Sequence, residues 1–238
     1  MAEFTLGTLS STPTVSSNFV GSSDTSDLYS FTLSSAGNIN LALTGLSADA
    51  DVRLYRDVNN NGLIDSSDTY ISGSARGSNY DDSINVESQA AGQYLVQVSQ
   101  FSGDTKYDLR LSTTSGYSDP SNLLPTETEV GTLSGTRTFY DSVSKTDTAD
   151  VFHVALNGSS LSVSLTGLSS DADVRVIHDI NSNLVVDAGE VIGISAAGSN
   201  SPESISLNNL VAGDNYFVEV YQYATNITNN SYTLTLTA

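Results

Sequence analysis

The sequence predicts an all-β protein made of two tandem jelly-roll-like antiparallel β-sandwich domains, and three observations support this fold class. Ser, Thr, Asn, Asp and Gly dominate the composition, and no long run of helix-forming residues occurs. Apolar and polar residues alternate over many short segments, which is typical of half-buried strands. The second half of the chain repeats the motifs of the first half in the same order.

These internal repeats indicate how the chain is divided. Gly7–Leu9 recurs at Gly131–Leu133, and Leu43–Ser47 recurs at Leu165–Ser169. Each repeat unit spans roughly 110 residues, a length that can enclose its own hydrophobic core. The units are therefore expected to be domains rather than stacked solenoid repeats.

The predicted domains are residues 1–114 and 130–238, and residues 115–129 are predicted to form a linker. Pro120 and Pro125 lie in this linker among several Ser and Thr residues, with little hydrophobic periodicity. The two prolines are expected to stiffen the linker and keep the domains apart, although a docked arrangement also fits the sequence.

Each unit is predicted to contain about seven or eight short strands, separated by Gly, Asn, Asp and Ser turns and packed as two sheets. The alternating apolar residues predicted to form the two cores are Tyr29, Phe31, Leu33, Ile39, Leu41, Leu43, Val52, Leu54, Tyr94, Val96, Val98, Tyr107, Leu109 and Leu111 in the first unit, and Phe152, Val154, Leu156, Leu161, Val163, Leu165, Val174, Val176, Tyr216, Val218, Val220, Tyr232, Leu234 and Leu236 in the second. The tyrosines among them are interpreted as core residues at sheet ends.

Residues Asp57–Asp68 have the spacing of an EF-hand-type calcium loop, D-x-N-x-N-G-x-I-D-x-x-D. The predicted ligands are the side chains of Asp57, Asn59, Asn61, Asp65 and Asp68 at positions 1, 3, 5, 9 and 12, and the backbone carbonyl of Leu63 at position 7. Gly62, at position 6, provides the sharp turn. Strand patterns flank the loop, so it is expected to join two strands rather than two helices.

A second such loop begins about 122 residues later, at Asp179–Glu190. Its predicted ligands are Asp179, Asn181, Asn183, Asp187 and Glu190, with the backbone carbonyl of Val185 at position 7. Leu184 replaces the glycine, and a left-handed turn there would cost roughly 1–2 kcal/mol. The second loop is therefore expected to be strained, differently shaped or weaker. The alternative is that both loops are ordinary polar hairpin turns.

Two pairs of aspartates precede the loops: Asp49 with Asp51, and Asp171 with Asp173. The members of each pair point the same way along an extended strand. They are expected either to support the ion as further ligands or, preferably, to order the adjacent turn.

The charge balance excludes several classes of function. The net charge is −19, with only 8 Lys and Arg residues, so the chain lacks the basic surface that nucleic acids or anionic membranes require. An excess of carboxylates fits divalent cations instead. Cysteine is absent, which excludes disulfides and thiolate metal sites.

The location of the protein is predicted to be extracellular. The N-terminus does not have the pattern of a signal peptide, and no apolar run is long enough to insert into a membrane. Export would therefore use a signal outside these residues. Calcium is scarce in the cytosol, so the prediction is a secreted or cell-surface protein.

No catalytic arrangement is evident in the sequence. His153 is interpreted as a solvent-facing residue in a strand, and His178 as a solvated residue beside the second loop rather than a transition-metal ligand. Asp81 and Asp82 are discounted as an acid–base pair because their counterparts are Pro202 and Glu203.

Four motifs, in the same order in both units, resemble the bacterial pre-peptidase C-terminal domain family. They are Asp27–Phe31, Asp49–Leu54, Ala91–Val98 and Tyr107–Leu111 in the first unit, and Asp150–Val154, Asp171–Val176, Ala212–Val220 and Tyr232–Leu236 in the second. Phe152 replaces a tyrosine of the family pattern, and Asn215 is an insertion. The resemblance implies jelly-roll-like sandwiches that accompany secreted proteases and other exported proteins. Some relatives bind calcium and matrix proteins, but the calcium-loop insertion departs from the commonest form, so no collagen site is carried over.

The expected function is a non-catalytic, calcium-binding accessory or adhesion module of an exported bacterial protein, with Ca²⁺ stabilising each sandwich. The alternative is a module that binds carbohydrate or a matrix protein through exposed aromatics such as Phe101, Tyr221 and Tyr223. A hydrolase is the least favoured interpretation. Expected partners are calcium, extracellular polysaccharide or matrix protein, and other domains of a larger exported protein.

Overall fold

A computed structural model of the protein describes residues 3–116 and 119–238. The chain forms two compact units, Met1–Asp119 and Pro120–Ala238. Within the described residues, no helix has the length and apolarity needed to cross a membrane. Both units are built from short strands, as the alternation of apolar residues predicts.

The first unit is a sandwich of two sheets. Its strands are β1 (Phe4–Thr8), β2 (Thr14–Val20), β3 (Ser26–Leu33), β4 (Gly37–Thr44), β5 (Asp49–Asp57), β6 (Thr69–Ser74), β7 (Asp82–Gln89), β8 (Gly92–Ser102) and β9 (Thr105–Thr114). One sheet has the order β1-β3-β8-β5-β6 and the other has the order β2-β9-β4-β7.

The second unit has the same two-sheet arrangement. Its strands are β10 (Thr128–Leu133), β11 (Thr136–Val143), β12 (Ala149–Leu156), β13 (Ser160–Thr166), β14 (Ala172–His178), β15 (Val191–Ser195), β16 (Glu203–Asn208), β17 (Tyr216–Gln222) and β18 (Asn230–Thr237). The sheet orders are β10-β12-β17-β14-β15 and β11-β18-β13-β16. Two tandem β-sandwiches are thus confirmed as the fold class.

Each described unit contains nine strands rather than the seven or eight expected. The two sheets are otherwise antiparallel, but β1 pairs with β3, and β10 with β12, in parallel. The register shifts at Gly7 and at Gly131, where φ is 78° and 69°. A left-handed residue at a bulge favours glycine, which explains why the Gly-Thr-Leu motif occurs twice.

The predicted alternation places the tyrosines inside the sandwiches. Tyr29, Tyr107 and Tyr232 are all buried, and each hydroxyl is hydrogen bonded. In the second unit Tyr232 donates to Asp150 Oδ2 at 2.5 Å. In the first unit Tyr107 donates to Asp27, and its oxygen lies 2.7 Å from that of Tyr29. The aspartate at the second position of β3 and of β12 therefore accepts a hydrogen bond from a buried tyrosine, whose hydroxyl needs such a partner.

The residues predicted as a linker do not share one environment. Tyr117 and Ser118 lie outside the described residues, whereas residues from Pro120 onward belong to the second unit. The Glu127 carboxylate accepts the Val151 N–H at 2.6 Å. Residues Ser121–Leu124, which we name the strap, pack against the rest of the second unit.

Candidate cation loops

The first loop, residues 58–68, connects β5 to β6, so the side chain of Asp57 stands at the end of a strand. Asp57 is buried, and its two carboxylate oxygens accept the backbone N–H groups of Asn61, at 3.1 Å, and Gly62, at 2.9 Å. Gly62 has φ 68°, the left-handed conformation predicted for position 6. The position-1 carboxylate thus holds the loop folded over itself.

Asp68 closes the other end of this loop. One of its oxygens accepts the Val58 N–H at 3.0 Å, and the other accepts the Asp65 N–H at 3.0 Å. The carboxylate at position 12 therefore ties together the entry and the exit of the loop.

The side chains at positions 3, 5 and 9 of the first loop converge. The amide nitrogens of Asn59 and Asn61 lie 3.1 Å and 2.7 Å from the same oxygen, Asp65 Oδ2. Hydrogen bonds from the Ser67 hydroxyl and N–H, and then from the two asparagines, hold the pKa of Asp65 well below its usual range. The peptide group at position 7 is also fixed, because the Leu63 N–H donates to Asn61 Oδ1 at 2.7 Å.

The second loop reproduces this arrangement with different residues. The amide nitrogens of Asn181 and Asn183 lie 2.8 Å and 2.9 Å from Asp187 Oδ2. Asp179 accepts the N–H groups of Asn183 and Leu184, at 3.2 Å and 3.1 Å.

The position-12 carboxylate and the position-7 peptide of the second loop also match those of the first. Glu190 accepts the N–H groups of Ile180 and Asp187, at 3.0 Å and 2.9 Å. The Val185 N–H donates to Asn183 Oδ1 at 2.8 Å. The longer arm of Glu190 thus fills the role that Asp68 has in the first loop.

The backbone conformation of Leu184 shows how the second loop differs from the first. Its φ is 60°, close to the 68° of Gly62, so the second loop is strained but not differently shaped. Position 4 matches as well, since Asn60 and Ser182 both have φ 55°. A leucine in this conformation costs roughly 1–2 kcal/mol, which other contacts of the loop must offset.

The carboxylates of the loops are spread over separate hydrogen bonds rather than gathered at one point. Over residues 3–116 and 119–238, no group of three or more His, Cys, Asp or Glu side chains is placed so that it holds a metal ion. In each loop only the position-9 carboxylate meets the side chains of positions 3 and 5, and those are amides. Any ion there would depend on amide and backbone oxygens as well as carboxylates.

The aspartates that precede the loops hold a different segment. Asp49 accepts the Ser78 N–H at 3.1 Å, and Asp171 accepts the Ser199 N–H at 3.0 Å. Burial, and then the charge of Asp171, raises the pKa of Asp173 to about 7. Burial and then Asp49 raise the pKa of Asp51. These contacts order the connections that follow β6 and β15 rather than the cation loops themselves.

Two further buried acids were missed by the sequence reasoning. Asp82 accepts hydrogen bonds from the Ser74 hydroxyl and the Arg76 N–H, and Glu203 does the same with Ser195 and Ala197. Burial raises the pKa of Asp82 to about 6. The signal was a duplicated Ser-Ala-x-Gly-Ser-Asn motif, followed three residues later by an acid in both units. The sequence comparison aligned Asp82 with Glu203 but did not indicate that both carboxylates are buried and accept hydrogen bonds from the same turn.

Both histidines have carboxylate partners. His153 Nδ1 lies 2.7 Å from Glu129, and His178 Nε2 lies 3.0 Å from Asp214. Their side chains are 22% and 21% exposed, less than solvent-facing positions would be. The His178 ring also stacks on Tyr216, with the ring centroids 4.7 Å apart.

The aromatic residues proposed for ligand contact have different exposures. Phe101 is 71% exposed and Tyr223 is 38% exposed. Tyr221 is only 4% exposed, so the expectation that it faces solvent is wrong. It lies on β17 opposite Asp173 of β14, and its ring is 5.9 Å from the Arg175 guanidinium.

Two solved structures are each similar to about half of this chain, at low sequence identity. The pre-peptidase C-terminal domain of a collagenase from Bacillus anthracis is 20% identical, with a TM-score of 0.36, over 47% of this chain and 97% of that one. PliG, a periplasmic inhibitor of g-type lysozyme from Aeromonas hydrophila, is 18% identical, with a TM-score of 0.31, over 46% of this chain and 95% of that one. A search of curated proteins finds no match.

The family assignment rests on the sequence. The family model for the bacterial pre-peptidase C-terminal domain matches residues 25–100 and 150–222, one segment in each sandwich and together more than half of the chain. Each segment contains the first three of the four motifs that suggested the resemblance, and the closing motifs Tyr107–Leu111 and Tyr232–Leu236 follow just after the matched segments. The chain therefore belongs to the bacterial pre-peptidase C-terminal domain family and carries that domain twice.

Proposed function

We propose that this chain is a calcium-stabilised accessory or adhesion module of an exported protein, with one ion bound by each cation loop. Pre-peptidase C-terminal domains are non-catalytic β-sandwich accessory domains that occur in exported proteins. The loops Asp57–Asp68 and Asp179–Glu190 lie within the two segments that the family model matches.

One observation carries the calcium proposal. In two loops of different sequence, the side chains at positions 3, 5 and 9 meet at a single carboxylate oxygen, Asp65 Oδ2 or Asp187 Oδ2. A polar hairpin turn does not require three side chains to converge in this way. The same positions supply the ligands of EF-hand-type loops, so the convergence favours a cation site over a plain turn.

The donor set fits a hard cation. The residues that would hold the ion offer only oxygen through carboxylates, amides and the position-7 carbonyls, and the described loops contain no imidazole or thiolate. Calcium takes six to eight such oxygens in a flexible arrangement, whereas magnesium demands a tighter octahedron and keeps several waters. Calcium is therefore the preferred ion.

Calcium is expected to act on stability more than on shape. Each loop joins two strands of one sandwich and lacks the paired helices whose angle changes in a calcium sensor. An ion that binds only the folded form contributes about 2.7 kcal/mol at a hundred times its dissociation constant. That is a sizeable part of a typical domain stability of about 5–15 kcal/mol.

Thermal unfolding followed by circular dichroism tests this proposal. Calcium at millimolar concentration should raise the melting temperature, a chelator should reverse the rise, and magnesium should act less strongly. Asp57→Asn should reduce the calcium effect, whereas Asp108→Asn, a carboxylate outside the loops, should not. A melting temperature that is indifferent to calcium, or an equal response in both variants, would exclude stabilisation through the first loop.

A second candidate function is the binding of polysaccharide or a matrix protein, and exposed aromatic side chains favour it. Phe101 and Tyr140 are 71% and 79% exposed, and each lies on the surface of its own unit. Co-sedimentation with insoluble polysaccharides and with collagen tests this function. Binding that is lost in Phe101→Ala or in Tyr140→Ala, with the melting temperature unchanged, would support it.

A further inference from the structure

The strap pairs with the second cation loop through the backbone. The Leu124 N–H donates to the Leu184 carbonyl at 3.0 Å, and the Val186 N–H donates to the Asn122 carbonyl at 2.9 Å. Leu123 forms an antiparallel bridge with Val185. The strap therefore runs beside positions 6, 7 and 8 of the loop as a short added strand.

Apolar packing fastens the strap in this position. Leu124 is fully buried in a small cluster with Val151, Ile177 and Phe217 from three neighbouring strands. Leu184 and Val186 of the loop pack against the same cluster. Since the loop and the strap share one set of apolar contacts, displacing the strap would expose part of the loop as well.

A buried ion pair holds the start of the strap. The Arg175 guanidinium donates to the Ser121 carbonyl and lies 2.6 Å from Glu219, which has no exposed surface. A guanidinium that satisfies both a buried carboxylate and a strap carbonyl leaves little freedom for that carbonyl to move.

The strap contacts Leu184, the residue of the second loop whose backbone is strained. Leu184 has φ 60°, a conformation that glycine adopts freely but leucine does not. Its carbonyl accepts a hydrogen bond from the strap, and its side chain packs on the cluster that contains Leu124. The first loop has Gly62 at this position and needs no such support.

We propose that the strap is a structural part of the second cation loop and stabilises the left-handed backbone of Leu184. Docking of the strap and binding of a cation in this loop are then coupled, whereas the first loop binds independently of the strap. The coupling to a cation rests on the proposed function, but the mechanical support of the loop by the strap does not. Leu124 acts as a positioning residue, because its cluster packs against Leu184 and Val186 of the loop, neither of which is a predicted ligand.

Calorimetric calcium titration of the full chain tests the coupled binding. In an Asp57→Ala background, which leaves only the second loop, Leu124→Ala should weaken binding about 5- to 30-fold, the range expected for losing support of one strained residue. In an Asp179→Ala background, Leu124→Ala should leave binding at the first loop unchanged. Leu161→Ala, a core truncation of the same size in the second unit, should lower the melting temperature without the same loss of affinity.

The glycine variant makes the test specific. Leu184→Gly removes the strain that the strap offsets, so adding Leu124→Ala to it should change second-loop affinity far less than in the parent. An equal effect of Leu124→Ala with and without Leu184→Gly would overturn the role assigned to the strap.

Amide hydrogen exchange with a chelator present tests the mechanical support without any ion. Leu124→Ala should speed exchange at Val185 and Val186 and leave Leu63 and Ile64 unchanged. Unchanged exchange at Val185 and Val186 would overturn the inference. If exchange responds as expected but no calcium binds to either loop, the proposed function fails while the support of the loop by the strap stands, and the coupling to a cation is refuted.

Discussion

Gly62 and Leu184 occupy the same position of two cation loops and adopt the same left-handed backbone, with φ 68° and 60°. One residue is glycine and the other is leucine, yet the two loops have the same hydrogen bonds at positions 1, 3, 5, 9 and 12. The carboxylates at the loop ends therefore hold the loop shape even where the residue at the turn opposes it. The second loop carries a strain that the first avoids, and the strap provides contacts that offset it.

The first prediction concerns the cost of that conformation in the first loop. Gly62→Ala should lower the free energy of unfolding by about 1–2 kcal/mol, because alanine pays the left-handed penalty that glycine avoids. Urea denaturation measures this change. Gly158→Ala is the matched control, since Gly158 does not have a positive φ and nothing lies within 4 Å of an added Cβ. Its effect should be neutral or slightly stabilising, and an equal loss in both variants would contradict the argument.

The second prediction concerns the buried tyrosine of the second unit. Tyr232→Phe removes the donor to Asp150 and leaves a buried carboxyl without that partner, which should cost about 1–3 kcal/mol. Tyr140 is exposed, so Tyr140→Phe should not measurably change the free energy of unfolding. Equal stabilities of the two variants in urea denaturation would show that the hydrogen bond to Asp150 is not needed.

The third prediction is a loss of stability as pH rises above about 5. Burial raises the pKa of Asp82 to about 6 and that of Asp173 to about 7, from an ordinary value of about 3.9. The folded state therefore binds these protons more tightly than the unfolded chain. Their contribution is complete below pH of about 4 and is lost as the pH rises through about 6 to 7.

Melting temperatures measured in the presence of a chelator, from about pH 4.5 to about pH 8, test this loss of stability. Asp82→Asn, which stays neutral, should flatten part of the decline. A melting temperature that increases from pH 5 to 7.5, or an Asp82→Asn profile identical to the parent, would contradict the assigned titration. Asp65 has the opposite effect on the pH dependence. Because its pKa is lowered in the folded state, its contribution to stability is present at neutral pH and is lost only as the pH falls into the strongly acidic range.

The fourth prediction separates the strap from the rest of the second unit. A fragment of residues 120–238 should fold alone and be more stable than a fragment of residues 128–238, by at least about 2 kcal/mol. The shorter fragment keeps all nine strands of the unit but loses the burial of Leu123 and Leu124. Indistinguishable urea midpoints would mean that the strap contributes nothing to this unit.

Much of the fold was predictable because its signals are periodic. Alternation along β3, β8 and β9 places Tyr29, Tyr94 and Tyr107 in the core, and duplication reveals the second unit. The parallel strand β1 was missed because it is short: only Phe4 and Leu6 in it are apolar, both are only partly buried, and two residues are too few to establish a period.

The strap and the buried acids were missed for other reasons. Two adjacent leucines between prolines have no strand or helix period, so Leu123 and Leu124 were interpreted as linker. Asp82 and Glu203 resemble surface turn residues in sequence, and only the fold shows that they are buried. The loop residues were recognisable because their spacing is short and local, but the support of Leu184 depends on residues about 60 positions away, which local patterns do not reveal.

Calcium titration by isothermal calorimetry, combined with loop variants, tests the central claim most directly. The full chain should bind two ions, one per loop, with the Gly62 loop the tighter. Asp57→Ala should leave one ion, and Asp57→Ala combined with Asp179→Ala should leave none, with both sandwiches still folded by circular dichroism. Absence of binding at millimolar calcium, or undiminished binding in the double variant, would contradict the assignment of these loops as cation sites.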